Sequence, residues 1–375
     1  MRLAVVLVHY HAAELAARAV AALRADLAGG GLEVEWAVVD NGSDEAERAL
    51  LAALPGDRLD PGRNLGFAAG VNLGVARTTA ETILVMNPDV IVLPGCVDAL
   101  LAGLAGGAAV AGPRFYWDAG RRLRLPPTEL HSRRQELSAA LARRGEEWAR
   151  QARRRWRRHA RRHWRAAAPL PSYALSGALL ALRRTAWEAV GPFDDGFQLY
   201  FEESDWLKRV ERRGLPARYV PAAEAVHLYD QSAGREPRAA AWFAASAERF
   251  RRRHYGAWFA PLLAAAGGGG GAAPRTPGAL GAPLAPLSDG GVDLAAVGRP
   301  FLLWVEVSLR LLGFPAAAER VVEPPGALWT LPAEVSDRLL ADVELTVQVT
   351  DDAGRELAGC RLRPRPAAEL PAKEW

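Results

Sequence analysis

Cysteine is nearly absent: Cys96 and Cys360 are the only two in 375 residues. Two thiols cannot build a disulfide framework, and their spacing matches no metal-ligand pattern. Lysine is as scarce. Lys208 and Lys373 are the only ones among 47 basic residues, so arginine carries the positive charge. No stretch holds the roughly 18 strongly apolar residues that a membrane span requires. The nearest candidate, 257–274, is broken by five consecutive glycines. The run Leu3–Val8 is short, is followed by His9 and His11, and reads as a buried strand, not a secretory signal. No Gly-x-Gly-x-x-Gly turn follows it, which argues against nicotinamide chemistry.

What is present is a globular composition, half apolar and 24% charged, of a length that suggests two or three domains. The formal charge is only +4. Residues 133–165 hold 13 arginines against Glu136, Glu146 and Glu147, a surplus of ten, so the rest of the chain carries a deficit of six. The basic balance therefore belongs to one segment. Trp148, Trp156 and Trp164 punctuate it and no proline interrupts it, so a long helix or helical hairpin is predicted within 129–168. Packing of its leucines and tryptophans on the first, α/β domain, with the rest of the helix solvated, is the first reading of this insertion. Contact with an anionic membrane surface is the second, and nucleic-acid binding the third.

Strands and helices alternate over the first hundred residues. Strands are predicted at 3–8, Val34–Val39 and Thr82–Met86, with helices at 12–28, at 44–53 and after Gly66. Such alternation predicts a doubly wound α/β sheet, with ligands at the carboxyl ends of its strands. The pattern resumes over 172–256. Gly267–Gly271 reads as a flexible linker within a Gly/Pro-rich stretch, 257–290. The period then changes to two: Val343–Val349 alternates, Asp351–Gly354 signals a turn, and Glu356–Leu362 can return as its partner. A small β-sandwich-like domain is predicted over 291–375.

Polar clusters fall at the strand ends. Asp40-Asn41-Gly42-Ser43 can bind a nucleobase or ribose, or simply form a turn capping a helix. Asn64 to Gly74 spaces Gly66, Gly70 and Gly74 one helical turn apart, which suits close packing against a sheet or a phosphate. Asn87-Pro88-Asp89 puts a carboxylate at the end of a buried strand, where Mg2+ or Mn2+ bridging a diphosphate would use it. Glu202, Glu203 and Asp205 repel one another unless a cation or proton compensates, and such a group can supply a general base. The alternative is a helix N-terminus that favours acids, with Asp205 and Arg209 as an i,i+4 pair. His227 gains weight only if it reaches Asp89.

Taken together, in this order and spacing, these stretches resemble the family 2 glycosyltransferases of the GT-A fold, especially bacterial rhamnosyltransferase-like members. Ser176-Gly177-Ala178, Gly191-Pro192-Phe193-Asp194 and Tyr219–His227 extend the resemblance, which covers about residues 1–256. It implies a GT-A type mixed sheet with the Arg-rich helical insertion. It implies inverting, metal-dependent transfer of a sugar from a nucleotide-diphosphate sugar to a hydroxyl of a glycan or lipid-linked acceptor, in cell-envelope polysaccharide biosynthesis. Asp40, Asn41, Asn64, Gly66, Asn72, Asn87, Ser176 and Gly177 would bind the donor. Asp89 and His227 would hold the metal, with Asn87 where the family's Asp-x-Asp motif has its first acid. Glu203 would be the catalytic base, with Asp205 and Glu202 as the other candidates. His11 departs from the family's usual asparagine. A cytoplasmic enzyme is expected, with peripheral contact at the inner membrane face through 133–165, and homo-oligomerisation stays open. A non-catalytic nucleotide-sugar or glycan-binding protein on the same fold is the alternative.

Overall fold

The computed structural model describes residues 2–128, 131–228, 238–267, 282–284, 291–294, 297, 302–322, 328–339 and 343–363. Most of the glycine run and most of 275–290 lie outside the described residues. The chain folds as two units. One comprises Met1–Phe115, Pro127–His131 and Arg165–Ala260; the other comprises Tyr116–Pro126, Ser132–Trp164 and Pro261–Trp375.

The elements run β1 (Arg2–His9), α1 (Ala13–Leu27), β2 (Glu33–Asp40), α2 (Glu45–Leu51), β3 (Asp57–Leu59), α3 (Phe67–Ala76), β4 (Thr82–Met86), β5 (Val90–Val92), α4 (Cys96–Ala105) and β6 (Val110–Tyr116). α5 (Arg133–Leu141) and α6 (Glu146–Trp164) follow. Next come β7 (Leu170–Pro171), β8 (Leu179–Arg183), α7 (Arg184–Val190), α8 (Glu202–Arg212), β9 (Ala217–His227), α9 (Ala239–Tyr255) and α10 (Phe259–Gly267). The first unit's sheet has the order β3-β2-β1-β4-β8-β6-β9-β5, with β7 on β9. β3, β2, β1 and β4 are parallel, whereas β8 is antiparallel to β4 and to β6, and β5 to β9. It is a mixed α/β sheet.

Both faces of this sheet are covered, so its inner strands are apolar throughout. Ala4, Val6 and Val8 share one core with Val71 and Val75 of α3, while Leu3 and Val5 share the other with Leu23, Leu100 and Leu104. A Cβ on Gly70 would lie 2.8 Å from Val8 Cγ1. The glycine spacing of α3 therefore serves contact with the sheet. The pairing His9↔Asp40 and Leu7↔Met86 sets the carboxyl ends of β1, β2 and β4 on one edge. Met86↔Leu179 brings the start of β8 to the same edge.

The second unit continues with β10 (Ala282–Pro283), β11 (Gly291–Asp293), β12 (Leu302–Ser308), β13 (Ala317–Val322), β14 (Leu328–Thr330), α11 (Ala333–Ser336), β15 (Leu345–Asp351) and β16 (Glu356–Leu362). A five-stranded sheet, β10-β16-β15-β12-β13, accompanies the pair β11-β14, and β15–β16 is the hairpin predicted. Leu303, Val305, Val307, Leu345, Val347 and Val349 share a core with Trp117, Leu123 and Trp329.

The alternate residues of these strands are Trp304, Glu306, Gln348 and Thr350, and all four are buried. Such a polar face normally meets water; here it meets α6. Trp164 stacks on Trp304 at 5.5 Å. Arg157 donates to Glu306 Oε2 at 2.7 Å, Glu356 Oε1 at 2.6 Å and Gln348 Oε1 at 2.8 Å. Arg153 donates to Glu356 Oε1 at 2.7 Å, and Arg161 to Thr350 Oγ1 at 2.6 Å. The insertion thus packs, but on the C-terminal sheet, and its arginines pack together with its tryptophans. The sequence suggested packing on the first domain because spacing shows that a helix has a buried face and not which partner buries it. Trp304 and Trp329 are core residues. Among the described residues, no helix is long and apolar enough to cross a membrane.

Candidate active site

The loops after β2 and β3 are tied into one wall. Asp40 Oδ1 accepts from the Ser43 amide at 2.8 Å and the Gly42 amide at 3.3 Å. Burial alone would raise this carboxyl. The Ser43 hydroxyl and amide, the facing His9 and the Gly42 amide outweigh it and hold Asp40 below its ordinary range. Asn41 Nδ2 donates to Asn64 Oδ1 at 2.8 Å and Gly66 O at 3.2 Å, while its Oδ1 accepts from the Leu65 amide at 2.7 Å. Gly66 is required twice over. Its φ is +84°, and a Cβ there would lie 2.7 Å from Gln198 O.

Beside this wall, His9 Nε2 lies 2.8 Å from Ser43 Oγ, and His11 Nδ1 lies 2.8 Å from Glu47 Oε2. Burial lowers the pKa of His9. His11 has φ +45°, a left-handed conformation unusual for a residue with a side chain. Asn72 Nδ2 donates to Phe193 O at 2.9 Å and its Oδ1 accepts from the Phe193 amide at 3.0 Å. Expected beside a diphosphate, Asn72 holds the Gly191–Phe193 turn through these two bonds.

The end of β4 carries hard ligand atoms. β5 pairs with the end of β9 at Val90↔His227, which sets His227 Nε2 3.4 Å from Asp89 Oδ1. Asp89 is buried. The buried Asn87 Oδ1 accepts no hydrogen bond. A carboxylate, an imidazole and an orphaned amide oxygen together fit a hard divalent cation, whose remaining positions substrate phosphates and water would fill.

One short strap joins this ligand set to the acids of α8. The Asn87 amide donates to Ala178 O at 2.9 Å. On the same strap, a Cβ on Gly177 would lie 3.1 Å from both Cβ and Cγ of Glu203. Gly177 is the groove in which the Glu203 side chain lies. Ser176 Oγ shapes the turn by accepting from the Ala178 amide at 3.3 Å.

Glu202 is buried and its Oε2 has no hydrogen-bond partner. Burial, then the adjacent Glu203 charge, pushes its pKa well above the ordinary value. Burial also raises Glu203, opposed by His131 and by hydrogen bonds from its own turn. Asp205 differs. It accepts from Arg209 Nε at 2.9 Å and lies 2.8 Å from His254 Nε2, with Arg253 Nε at 3.2 Å. Arg209 also donates to Val190 O and Pro192 O. Asp205 is thus the centre of a cationic clamp, whereas Glu202 and Glu203 form no arginine ion pair among the described residues. Trp206 is core, donating to Gly191 O.

Sequence reasoning missed three features here. Tyr200 (φ +66°) and Phe201 (φ +72°) precede the acids in left-handed conformations that cost about 1–3 kcal/mol each. His131 packs on Phe201 at 4.8 Å and Phe250 at 5.1 Å. Phe243, 45% exposed, lies 5.5 Å from Tyr200 and 5.4 Å from Phe201. His131 and Phe243 belong to no motif, and only tertiary packing brings them to α8; Tyr200 and Phe201 lie in the acidic motif, but its sequence does not show their backbone conformation.

Residues 4–165 match the family model Glycosyl transferase family 2. The chain is 31% identical over 245 residues to the N-acetylglucosaminyl-diphospho-decaprenol L-rhamnosyltransferase of two Mycobacterium tuberculosis strains, covering 60% of this chain and 77% of that protein. Among solved structures, the mannosyltransferase PcManGT from Pyrobaculum calidifontis, in complex with GDP-Man and Mn2+, aligns over 70% of this chain and 73% of its own, at 14% identity and a TM-score of 0.43. With the family model matched and 31% identity across 77% of a known rhamnosyltransferase, the chain belongs to glycosyltransferase family 2 and is a glycosyltransferase.

Proposed function

We propose that the enzyme transfers a sugar, L-rhamnose by analogy with its mycobacterial relative, from a nucleotide-diphosphate donor to a hydroxyl of a diphosphate-lipid-linked acceptor, with inversion. The observation that carries this reading is Glu203 lying in the Gly177 groove, joined by one strap to Asn87 and hence to Asp89 and His227. The wall formed by Asp40, Asn41, Asn64 and Gly66 holds the nucleotide. Glu203 takes the proton of the acceptor hydroxyl. That oxygen bonds to the anomeric carbon as the bond to the diphosphate breaks on the opposite face. A carboxylate raised by burial is matched to such work near neutral pH. A divalent cation held by Asp89 and His227 would supply neutralisation of the leaving diphosphate. The exposed Phe243, beside Tyr200 and Phe201, offers the acceptor an apolar ledge next to the base.

A thermal-shift screen of nucleotide sugars with Mn2+ tests the donor, because stabilisation follows affinity by mass action. An activated L-rhamnose should stand out. The product formed on an N-acetylglucosaminyl-diphospho-lipid should carry the inverted anomeric configuration by NMR, and retention would overturn the mechanism.

A further inference from the structure

α6 sorts its arginines by face. Arg153, Arg157 and Arg161, four residues apart, are buried in the ion pairs of the C-terminal sheet. Arg154, Arg155, Arg158 and Arg162 are exposed. Among the described residues no acid pairs with Arg154, Arg155 or Arg158. Trp148, 46% exposed, stands on the same side. It precedes Arg155 by seven residues, and Arg155 precedes Arg162 by seven, so the three align about two turns apart. Like charges at i,i+4 weaken a helix by a few tenths of a kcal/mol per pair. Here Arg154–Arg158 and Arg158–Arg162 repeat that conflict on the outward face. The sheet beneath does not need these side chains.

We propose that this outward face of α6 docks the enzyme on an anionic lipid bilayer, with Arg155, Arg158 and Arg162 over the headgroups and Trp148 at the interface. Charge complementarity selects the occupant. Clustered arginine is attracted by the negative surface potential of anionic lipid, and an aromatic ring suits the boundary between headgroup and acyl chain. The compact polar partners on the opposite face hold the stripe rigid, so it need not fold on contact. The docking surface is independent of the transfer chemistry, although it suits an acceptor that is itself a lipid.

Co-sedimentation of the full-length protein with phosphatidylcholine vesicles, with and without phosphatidylglycerol, tests it in the absence of any sugar substrate. Binding should require the anionic lipid and weaken in high salt. The triple variant R155Q/R158Q/R162Q should bind about a hundredfold more weakly, roughly fivefold per arginine, while its circular dichroism and its transfer to a short-chain, water-soluble acceptor stay unchanged. Removing like charges relieves repulsion, so loss of fold is not expected, and the salt dependence of the native protein supplies a second readout. Equal binding to neutral vesicles, no binding, or a triple variant that binds like the native protein would overturn the proposal. So would an RNA oligonucleotide that binds the stripe and is not displaced by anionic vesicles.

Discussion

Each unit holds one buried glutamate beside a half-buried one, Glu306 with Glu356 and Glu202 with Glu203, with opposite electrostatic outcomes. In the second unit Glu306 and Glu356 meet Arg153 and Arg157, and the hydrogen bonds and charges of those arginines outweigh burial, holding Glu356 down at about 2. In the first unit Glu202 and Glu203 are adjacent and, among the described residues, neither forms an ion pair with an arginine, and both rise. Burial of charge is tolerated in the first case because every charge has a partner. In the second case the fold accepts a penalty it could have avoided with glutamine. The acids that carry their cations are scaffold here, and the acids without them are the ones proposed for the chemistry.

The sharpest way to break that contrast is Glu203→Gln. It should lower kcat by about 10²–10⁴-fold, the usual share of a general base, and leave the denaturation midpoint unchanged or higher. Turnover at the native rate would refute the base assignment. Arg157→Met should do the reverse. Leaving Glu306 buried without its partner should destabilise the second unit by about 3–5 kcal/mol in chemical denaturation, with transfer per folded molecule retained. A loss below about 1 kcal/mol would show the network to be dispensable.

The pH dependence separates the two pairs further. Glu356 lies below its ordinary 4.5, so its pairing stabilises above that pH and is lost as pH falls toward about 2. Glu202 is shifted the other way. Its contribution is present in acid and is lost as pH rises through its raised folded value. Glu202→Gln should therefore raise the melting temperature near neutral pH, with the gain vanishing in acid. A uniform gain at all pH values would point to packing instead. The smallest effect expected is that of His131→Gln. His131 opposes the rise of Glu203, so its loss should move the acid limb of kcat/KM to higher pH without lowering the plateau. A lowered plateau with an unmoved limb would leave His131 a purely structural role.

Much of the first unit was legible because its strands are buried on both faces and carry polar residues only where they end. Asp89 and His227 could be paired in thought because both close strands, and β5–β9 pairing brings them together. Asp205 could not be separated from Glu203 in sequence. The difference lies in Arg253 and His254, nearly fifty residues on. The partner of Asn72 could not be named for the same reason, since Phe193 is 121 positions away. The alternation of β15 correctly indicated a strand, yet its polar face gave no sign that arginines would bury it.

The composition of the second unit also has a consequence for biosynthesis. Arg157 leaves the ribosome 199 residues before Glu356. At about 5–20 residues per second, the cationic helix waits roughly 10–40 s for Glu356, the acid that Arg153 and Arg157 share. During that interval the nascent chain carries a basic amphipathic segment without its sheet, beside a ribosomal surface rich in phosphate. The order of synthesis thus leaves the inner face of the helix fully paired only once the C-terminal hairpin is made.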